Sequence, residues 1–201
     1  MKPRVVIAGG GTAGWIAAAA LVKQLGPLLD ITLVESDAIG TVGVGESTIP
    51  TSRSFHALLG IDEATFMRET QASFKLGIQF EGWARPDDRY FHAFGQLGRK
   101  ASWMADFHHF WLEAQAQGFG GSLDDYSYEL LAAQAGRFAT DAELSHAYHL
   151  DATLYARFLR RLSEPAGVKR IEGRIAQVEQ DAAGLTALLL DDGTRIAGDL
   201  F

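Results

Sequence analysis

The sequence predicts an α/β fold, and three observations carry that expectation. A β-branched run at residues 4–8 (RVVIA) stops on Gly9-Gly10-Gly11. An Ala-rich stretch, residues 12–25, follows and closes on Gly26-Pro27. A second apolar run, residues 31–35 (ITLVE), comes next. Short apolar runs bounded by glycine read as strands buried on both faces. A Gly-Pro pair ends a helix. Strand, tight turn, helix and strand within about thirty residues form a βαβ unit, whose crossover is right-handed and whose strands are parallel.

The composition narrows the function classes. The chain has 201 residues, 47% of them apolar and 21% charged, as in an ordinary globular protein with a substantial core. Its net charge is −7 with no basic block, which argues against nucleic acid as a partner. No apolar run approaches the roughly 18 residues that cross a bilayer, so no membrane partner is expected. Met1-Lys2-Pro3-Arg4 leads straight into a strand-like run, unlike a signal peptide, and a cytoplasmic protein is the expectation. There is no cysteine, which excludes disulfides, thiol catalysis and Cys-type zinc sites.

Further along, residues 39–50 (IGTVGVGESTIP) form a Gly-punctuated loop. Helices are expected over residues 51–59 and 62–71, separated by Gly60. Residues 74–83 (FKLGIQFEGW) alternate: Phe74, Leu76, Ile78 and Phe80 face one way, Lys75, Gly77, Gln79 and Glu81 the other. That is a half-buried strand. Pro86-Asp87-Asp88 signals a turn, and residues 90–94 read as the returning strand with Tyr90, His92 and Phe94 on one face. Residues 103–117 carry Trp103, Phe107, Phe110, Trp111 and Ala114 at helical spacing. Asp151 is a suitable N-cap for a helix with Leu154, Phe158 and Leu162 on one stripe. Short strands follow at residues 168–171, 174–180, 185–190 and 194–197, with turns at Ala183-Gly184 and Asp192-Gly193. The closing Gly198-Asp199-Leu200-Phe201 reads as the start of another strand, so the chain is expected to be incomplete.

Gly9-x-Gly11-x-x-Gly14 sits between the first strand and the helix. The first glycine permits the turn, the second lets a pyrophosphate reach the backbone, and the third lets helix pack on strand. The N–H groups near Thr12, Ala13 and Gly14 can hold phosphates. Glu35 ends the second strand, 21 residues past Gly14, where a carboxylate accepts ribose hydroxyls and repels a 2′-phosphate. Together these features point to a dinucleotide-binding, Rossmann-type unit.

Other motifs leave two readings open. The loop at residues 43–50 (GVGESTIP) is either a backbone strap over a flat ligand or a plain connector to a helix. Lys75 is a solvated strand lysine unless a desolvated pocket makes it a directed donor or a nucleophile. Tyr90, His92 and Phe94 either stack on a planar substrate or pack a core. His108-His109 and the His146 and His149 pair lack the carboxylate pattern of a known metal site, so no metal is expected.

With these residues in view, the chain resembles the flavin-dependent tryptophan halogenases over essentially its whole length. The segments that carry the resemblance are GGGTAGW (residues 9–15), GVGESTIP (43–50), ASFKLGIQFEGW (72–83), YFHAFG (90–95) and YHLDA (148–152). The resemblance implies a FAD/NAD(P)-binding Rossmann-type core with a β-meander and an inserted substrate-side module, the core at residues 1–50 and 165–201 and the module at 51–164. It implies an enzyme using reduced, noncovalent FAD from a partner flavin reductase, with oxygen and a halide ion, chloride or bromide. Hypohalous acid formed at the flavin then halogenates tryptophan or another aromatic small molecule. Lys75 stands where the family's catalytic lysine stands, and His92 and Phe94 match positions flanking the substrate ring. Ser47 in the flavin strap matches a cofactor contact, as does Ile175 toward the adenine end. Ser36, Ile39 and Val42 join Gly9, Gly11, Thr12, Ala13, Gly14 and Glu35 among the expected cofactor contacts. A homodimer is one assembly state open to such a protein.

The sequence departs from the family at one point. The Trp-x-Trp-x-Ile-Pro motif and the second catalytic residue, a glutamate, are absent, and in the family both follow the region present here. Truncation is the expectation, and the chain alone is not expected to halogenate. A FAD-dependent monooxygenase or other oxidoreductase on the same fold is the alternative enzyme reading. A catalytically inactive FAD-binding module is the alternative outside enzymes.

Overall fold

β1 (Arg4–Ala8) and β2 (Asp30–Glu35) lie parallel, with Val5 opposite Ile31 and Ile7 opposite Leu33, and α1 (Thr12–Leu25) connects them. The structure, a computed structural model, describes residues 1–40, 45–99 and 103–201. α1 buries Trp15, Ala18, Ala19 and Val22, the spacing of one helix face, and its alanines allow close approach. β7 (Lys169–Glu172) adds to β2 as a third parallel strand, with Leu33 opposite Arg170. On the other side of β1, Leu200 forms an isolated parallel bridge to Val5. The parallel sheet thus has more members than its opening βαβ unit.

β8 (Ile175–Asp181), β9 (Gly184–Leu190) and β10 (Arg195–Ala197) form the expected antiparallel meander. Gly184 at φ 136° and Gly193 at φ 87° make its turns in a region that L side chains avoid. Val6, Val34, Leu188, Leu190 and Ile196 form one buried cluster, with Ile171, Ile175 and Phe201 packed on it.

α2 (Thr51–Leu59) and α3 (Glu63–Thr70) occupy the expected places, and the Asp62 carboxylate caps α3 by accepting from Thr65 N at 2.8 Å. Asp151 caps α6 (Ala152–Ser163) in the same way, accepting from Leu154 N at 2.8 Å. The buried stripe of α6 is rotated from the expected one. It runs through Ala152, Tyr155, Ala156, Phe158, Leu159 and Ser163, whereas Leu162 is 44% exposed. The small residues at 152, 156 and 163 let that face close down, which apolar spacing alone did not reveal. Tyr155 Oη and His56 Nε2 are 2.8 Å apart in this region, and the His56 ring lies 4.4 Å from that of Phe66. Burial lowers the His56 pKa to about 4, only partly opposed by the Glu63 charge, and burial raises that of Tyr155.

Two compact units result. One comprises Met1–Glu46, Phe55–Ala72 and Leu150–Phe201, the other Ser47–Ser54 and Ser73–His149. α3 and α6 belong to the first unit, where α6 packs on both α1 and α3.

The second unit corrects two expectations. The single strand expected over residues 74–83 is two strands, β3 (Ser73–Lys75) and β4 (Gly77–Glu81). Lys75 and Leu76 are both buried, so the alternation fails at this step. The ladder changes partner there. β3 pairs antiparallel with β6 (Ala147–His149), Lys75 opposite Ala147, and β4 pairs with β5 (Arg89–Ala93), Ile78 opposite His92. The Leu76 carbonyl at the joint accepts from Phe94 N at 2.9 Å. The helix expected over residues 103–117 is shorter: α4 spans Phe107–Ala116 behind Asp106, and Trp103 lies outside it, 91% exposed. A 3-10 turn (Leu123–Tyr126) and α5 (Tyr128–Gln134) complete the unit. No helix among the described residues is long and apolar enough to cross a membrane.

Candidate functional site

The first unit holds a cavity of about 830 Å³ at the C-terminal ends of β1 and β2. Gly9 turns the chain at φ 116°, and its N–H donates to Val34 O at 2.8 Å. Gly11 occupies the N-cap of α1 with no side-chain cap, and the first turn carries no acid. The free N–H groups and the positive end of the helix dipole therefore face the cavity, as an anion requires. A Cβ on Gly14 would lie 1.9 Å from Gly9 O, so this glycine serves helix-on-strand packing and not the wall. A Cβ on Gly10 would fall 1.4 Å from Glu35 Oε2, so only glycine leaves room for that carboxylate. Nothing lies within 4 Å of a Cβ built on Gly11, where the backbone is open to a ligand.

Glu35 is held from three directions. Trp15 Nε1 donates to Oε2 at 3.2 Å, Arg170 Nε donates to Oε1, and Arg160 Nη1 stands 3.5 Å from Oε1. Of the expected cofactor contacts, Gly9, Gly11, Thr12, Ala13, Glu35, Ser36, Ile39 and Ile175 line this cavity. Val42 lies outside the described residues. Ser47 belongs to the other unit. Trp15 and the α6 residues Thr153, Arg157 and Arg160 also line the wall and were not anticipated. Their spacing of four and three residues was the available signal. A glycine floor, an uncapped helix N-terminus and a carboxylate at the strand end fit a dinucleotide such as FAD.

The second unit positions Lys75. The last residue of β3 turns its side chain inward, and the residue is only 9% exposed. Its Nζ donates to Ser47 Oγ at 2.9 Å and to Thr48 O at 3.2 Å, and lies 5.5 Å from the Phe94 ring centroid. Thr48 is itself fixed: its N–H donates to Tyr148 O at 2.9 Å, and its Oγ1 accepts from Tyr148 N at 3.0 Å. Ser47 bridges to His149. No carboxylate pairs with Lys75 among the described residues, and burial lowers its pKa. The His149 pKa is lowered by burial and then by the Lys75 charge.

The two expected substrate residues are placed differently. Phe94 lies against Lys75, while His92 lines a cavity of about 630 Å³ together with Tyr90, Gln96, Arg99 and Phe107. Glu129 was not anticipated: it is a buried carboxylate that accepts from Ser145 N at 2.9 Å. A Cβ on Gly95 would lie 1.8 Å from its Oε2, so Glu129 is pressed against the turn that follows Phe94. Among the described residues no group of three or more His, Asp or Glu could hold a metal ion.

A Rossmann-type cleft in one unit fits the dinucleotide-binding class of flavoproteins, and the other unit carries a buried lysine without a carboxylate partner among the described residues. The sequence profile of the tryptophan halogenases matches residues 4–201, and the chain belongs to that family, whose members use FAD and halide. It is 36% identical to the tryptophan 7-halogenase RebH of Lentzea aerocolonigenes, across 98% of this chain and 41% of that protein. Among solved structures it is similar to Xcc4156, a flavin-dependent halogenase from Xanthomonas campestris, with 61% identity and a TM-score of 0.89 over 100% of this chain and 41% of that one. It is also similar to BrvH, a flavin-dependent halogenase from Brevundimonas sp. BAL3, with 42% identity and a TM-score of 0.85 over 100% of this chain and 42% of that one. The chain thus spans about two fifths of the length of these relatives.

Proposed function

We propose that this chain is the FAD-binding and lysine-bearing part of a flavin-dependent halogenase acting on tryptophan, another indole or a related aromatic molecule. Reduced FAD, delivered by a separate flavin reductase, supplies with oxygen the oxidising power that converts halide to hypohalous acid. A cytoplasmic setting, where a reductase and reduced nicotinamide are at hand, goes with this reading. The backbone of Gly9, Gly11, Thr12 and Ala13 holds the pyrophosphate, Glu35 accepts the adenosine ribose hydroxyls, and Ser36, Ile39 and Ile175 close around the adenosine. Ser47 serves both the flavin contact that the family resemblance assigns and the anchoring of Lys75.

The observation that supports the reading most is the state of Lys75. Burying an ammonium without a counter-ion is costly, and such groups concentrate at functional sites. Two of its three N–H groups are taken by Ser47 Oγ and Thr48 O. The third is free to donate to a hypohalous acid and orient its halogen toward an aromatic ring. The lowered pKa also raises the fraction of neutral amine able to carry the halogen itself.

The test uses the full-length protein with a reductase, NADH, oxygen, bromide and a panel of indoles. Mass spectrometry reads the bromine isotope doublet. Lys75→Ala should lower halogenated product by at least about a hundredfold, the scale of a lost acid–base group, while reduced FAD still consumes oxygen. Hydroxylated product instead of a doublet would place the protein among the monooxygenases. Equal halogenation by the variant would remove Lys75 from the reaction.

A further inference from the structure

Arg157 lines the dinucleotide cavity from α6 and makes no ion pair or hydrogen bond among the described residues. Its neighbours on that helix face fix where it stands. At the start of α6, the Ala152 carbonyl accepts from Thr12 Oγ1 at 3.4 Å, so this end of the helix lies beside the first turn of α1. One turn beyond Arg157, Arg160 reaches Glu35 at 3.5 Å. Thr153, Arg157 and Arg160 share one face by their spacing, and all three line the cavity. Arg157 therefore faces the interval between the uncapped α1 N-terminus and the carboxylate that ends β2. In a dinucleotide with its pyrophosphate on α1 and a ribose on Glu35, that interval is filled by the phosphate next to adenosine.

Charge points the same way. Arg160 and Arg170 are both committed to carboxylates, Arg160 to Glu35 and Glu164, Arg170 to Glu35, Asp37 and Glu172. The helix end supplies only about half a positive charge against a dianionic pyrophosphate. An unpaired guanidinium suits the remainder, since its planar fork matches phosphate oxygens. We propose that Arg157 pairs with the adenosine-side phosphate of FAD. The inference rests on the FAD reading above and adds a residue to it.

The test is a binding titration of the full-length protein with FAD, ADP and adenosine, followed by calorimetry for the first two and ligand-observed NMR for adenosine. Arg157→Ala should bind FAD and ADP about tenfold more weakly, as loss of one charge-assisted contact predicts, and adenosine unchanged. Arg157→Lys should recover part of the loss, and the salt dependence of FAD affinity should be shallower in Arg157→Ala than in the parent. Unchanged FAD and ADP affinity would overturn the proposal. So would an equal loss for adenosine, which would place the guanidinium on the base and not on the phosphate. A parent protein that binds neither FAD nor ADP would overturn the FAD reading itself, and this inference with it.

Discussion

In the first unit, the backbone that frames the cavity hangs from a parallel sheet over the buried cluster of Val6, Val34, Leu188, Leu190 and Ile196. In the second, Lys75 ends a three-residue strand of a two-stranded sheet, and α4 buries none of its residues. The cavity takes its turn, helix end and carboxylate from residues 9–35, within one supersecondary unit. The lysine depends on Ser47, 28 residues before it, and on a strap that Tyr148 fixes from 100 residues away in sequence. One site is built by local geometry on a large core. The other is built by long-range pairing on short elements, so its geometry depends on more partners.

The sharpest way to break the comparison is to disturb a glycine in each unit. In Gly14→Ala the new Cβ would meet backbone, Gly9 O, which cannot move without opening the turn. A cost of about 3 kcal/mol is expected, the upper end for overpacking, together with loss of measurable FAD affinity. Chemical denaturation and FAD titration check both.

A second prediction concerns the core of the first unit. His56 has its pKa lowered to about 4 by burial, against about 6.5 when unfolded. The unfolded chain therefore binds the proton first. The stabilisation is fully present above pH 6.5 and is lost as the pH falls toward 4. The loss approaches about 1.4 kcal/mol per pH unit inside that window. Denaturation midpoints at pH 7, 6 and 5 should show a shallower decline in His56→Gln than in the parent. Equal slopes would show that His56 is not buried as the neutral ring.

The smallest effect is expected in the second unit. A Cβ on Gly77 would meet His92 O at 2.5 Å and the Phe91 ring at 2.4 Å, but a two-stranded hairpin can shift to relieve it. Gly77→Ala should cost about 1 kcal/mol, the lower end for overpacking. FAD affinity should hold while halogenation falls, because the strand that follows Lys75 is displaced. Loss of FAD affinity in this variant would end the distinction between the two sites.

The same contrast explains what the sequence disclosed. Gly9, Gly11 and Gly14 were legible because each acts through neighbours close in the chain, and Glu35 because it ends the second strand of the same βαβ unit, although the arginines that hold it, Arg160 and Arg170, lie far along the sequence. So were the caps Asp62 and Asp151, which bond to N–H groups three residues on. The break at Leu76 was not legible, because apolar alternation carries no record of a change of partner strand. The three residues of β6 are too few to show a period. Trp103 matched helical spacing but lies before the Asp106 cap, and spacing alone could not choose between those starts. The role of Lys75 was found by family resemblance, whereas its bonding to Ser47 and Thr48 emerged only from the fold.

The change of partner at Leu76 bears on protein engineering. Lys75 is anchored in one ladder and β4 belongs to another, so the β4–β5 hairpin projects from the lysine strand, with β5 also packed on α5. Its root is the Leu76 carbonyl bonded to Phe94 N. Its tip, residues 82–88, carries Trp83 at 75% exposure. The tip is the place to graft, shorten or lengthen sequence without re-aiming the lysine. A single residue inserted between Lys75 and Gly77 would put the two ladders out of register with one another.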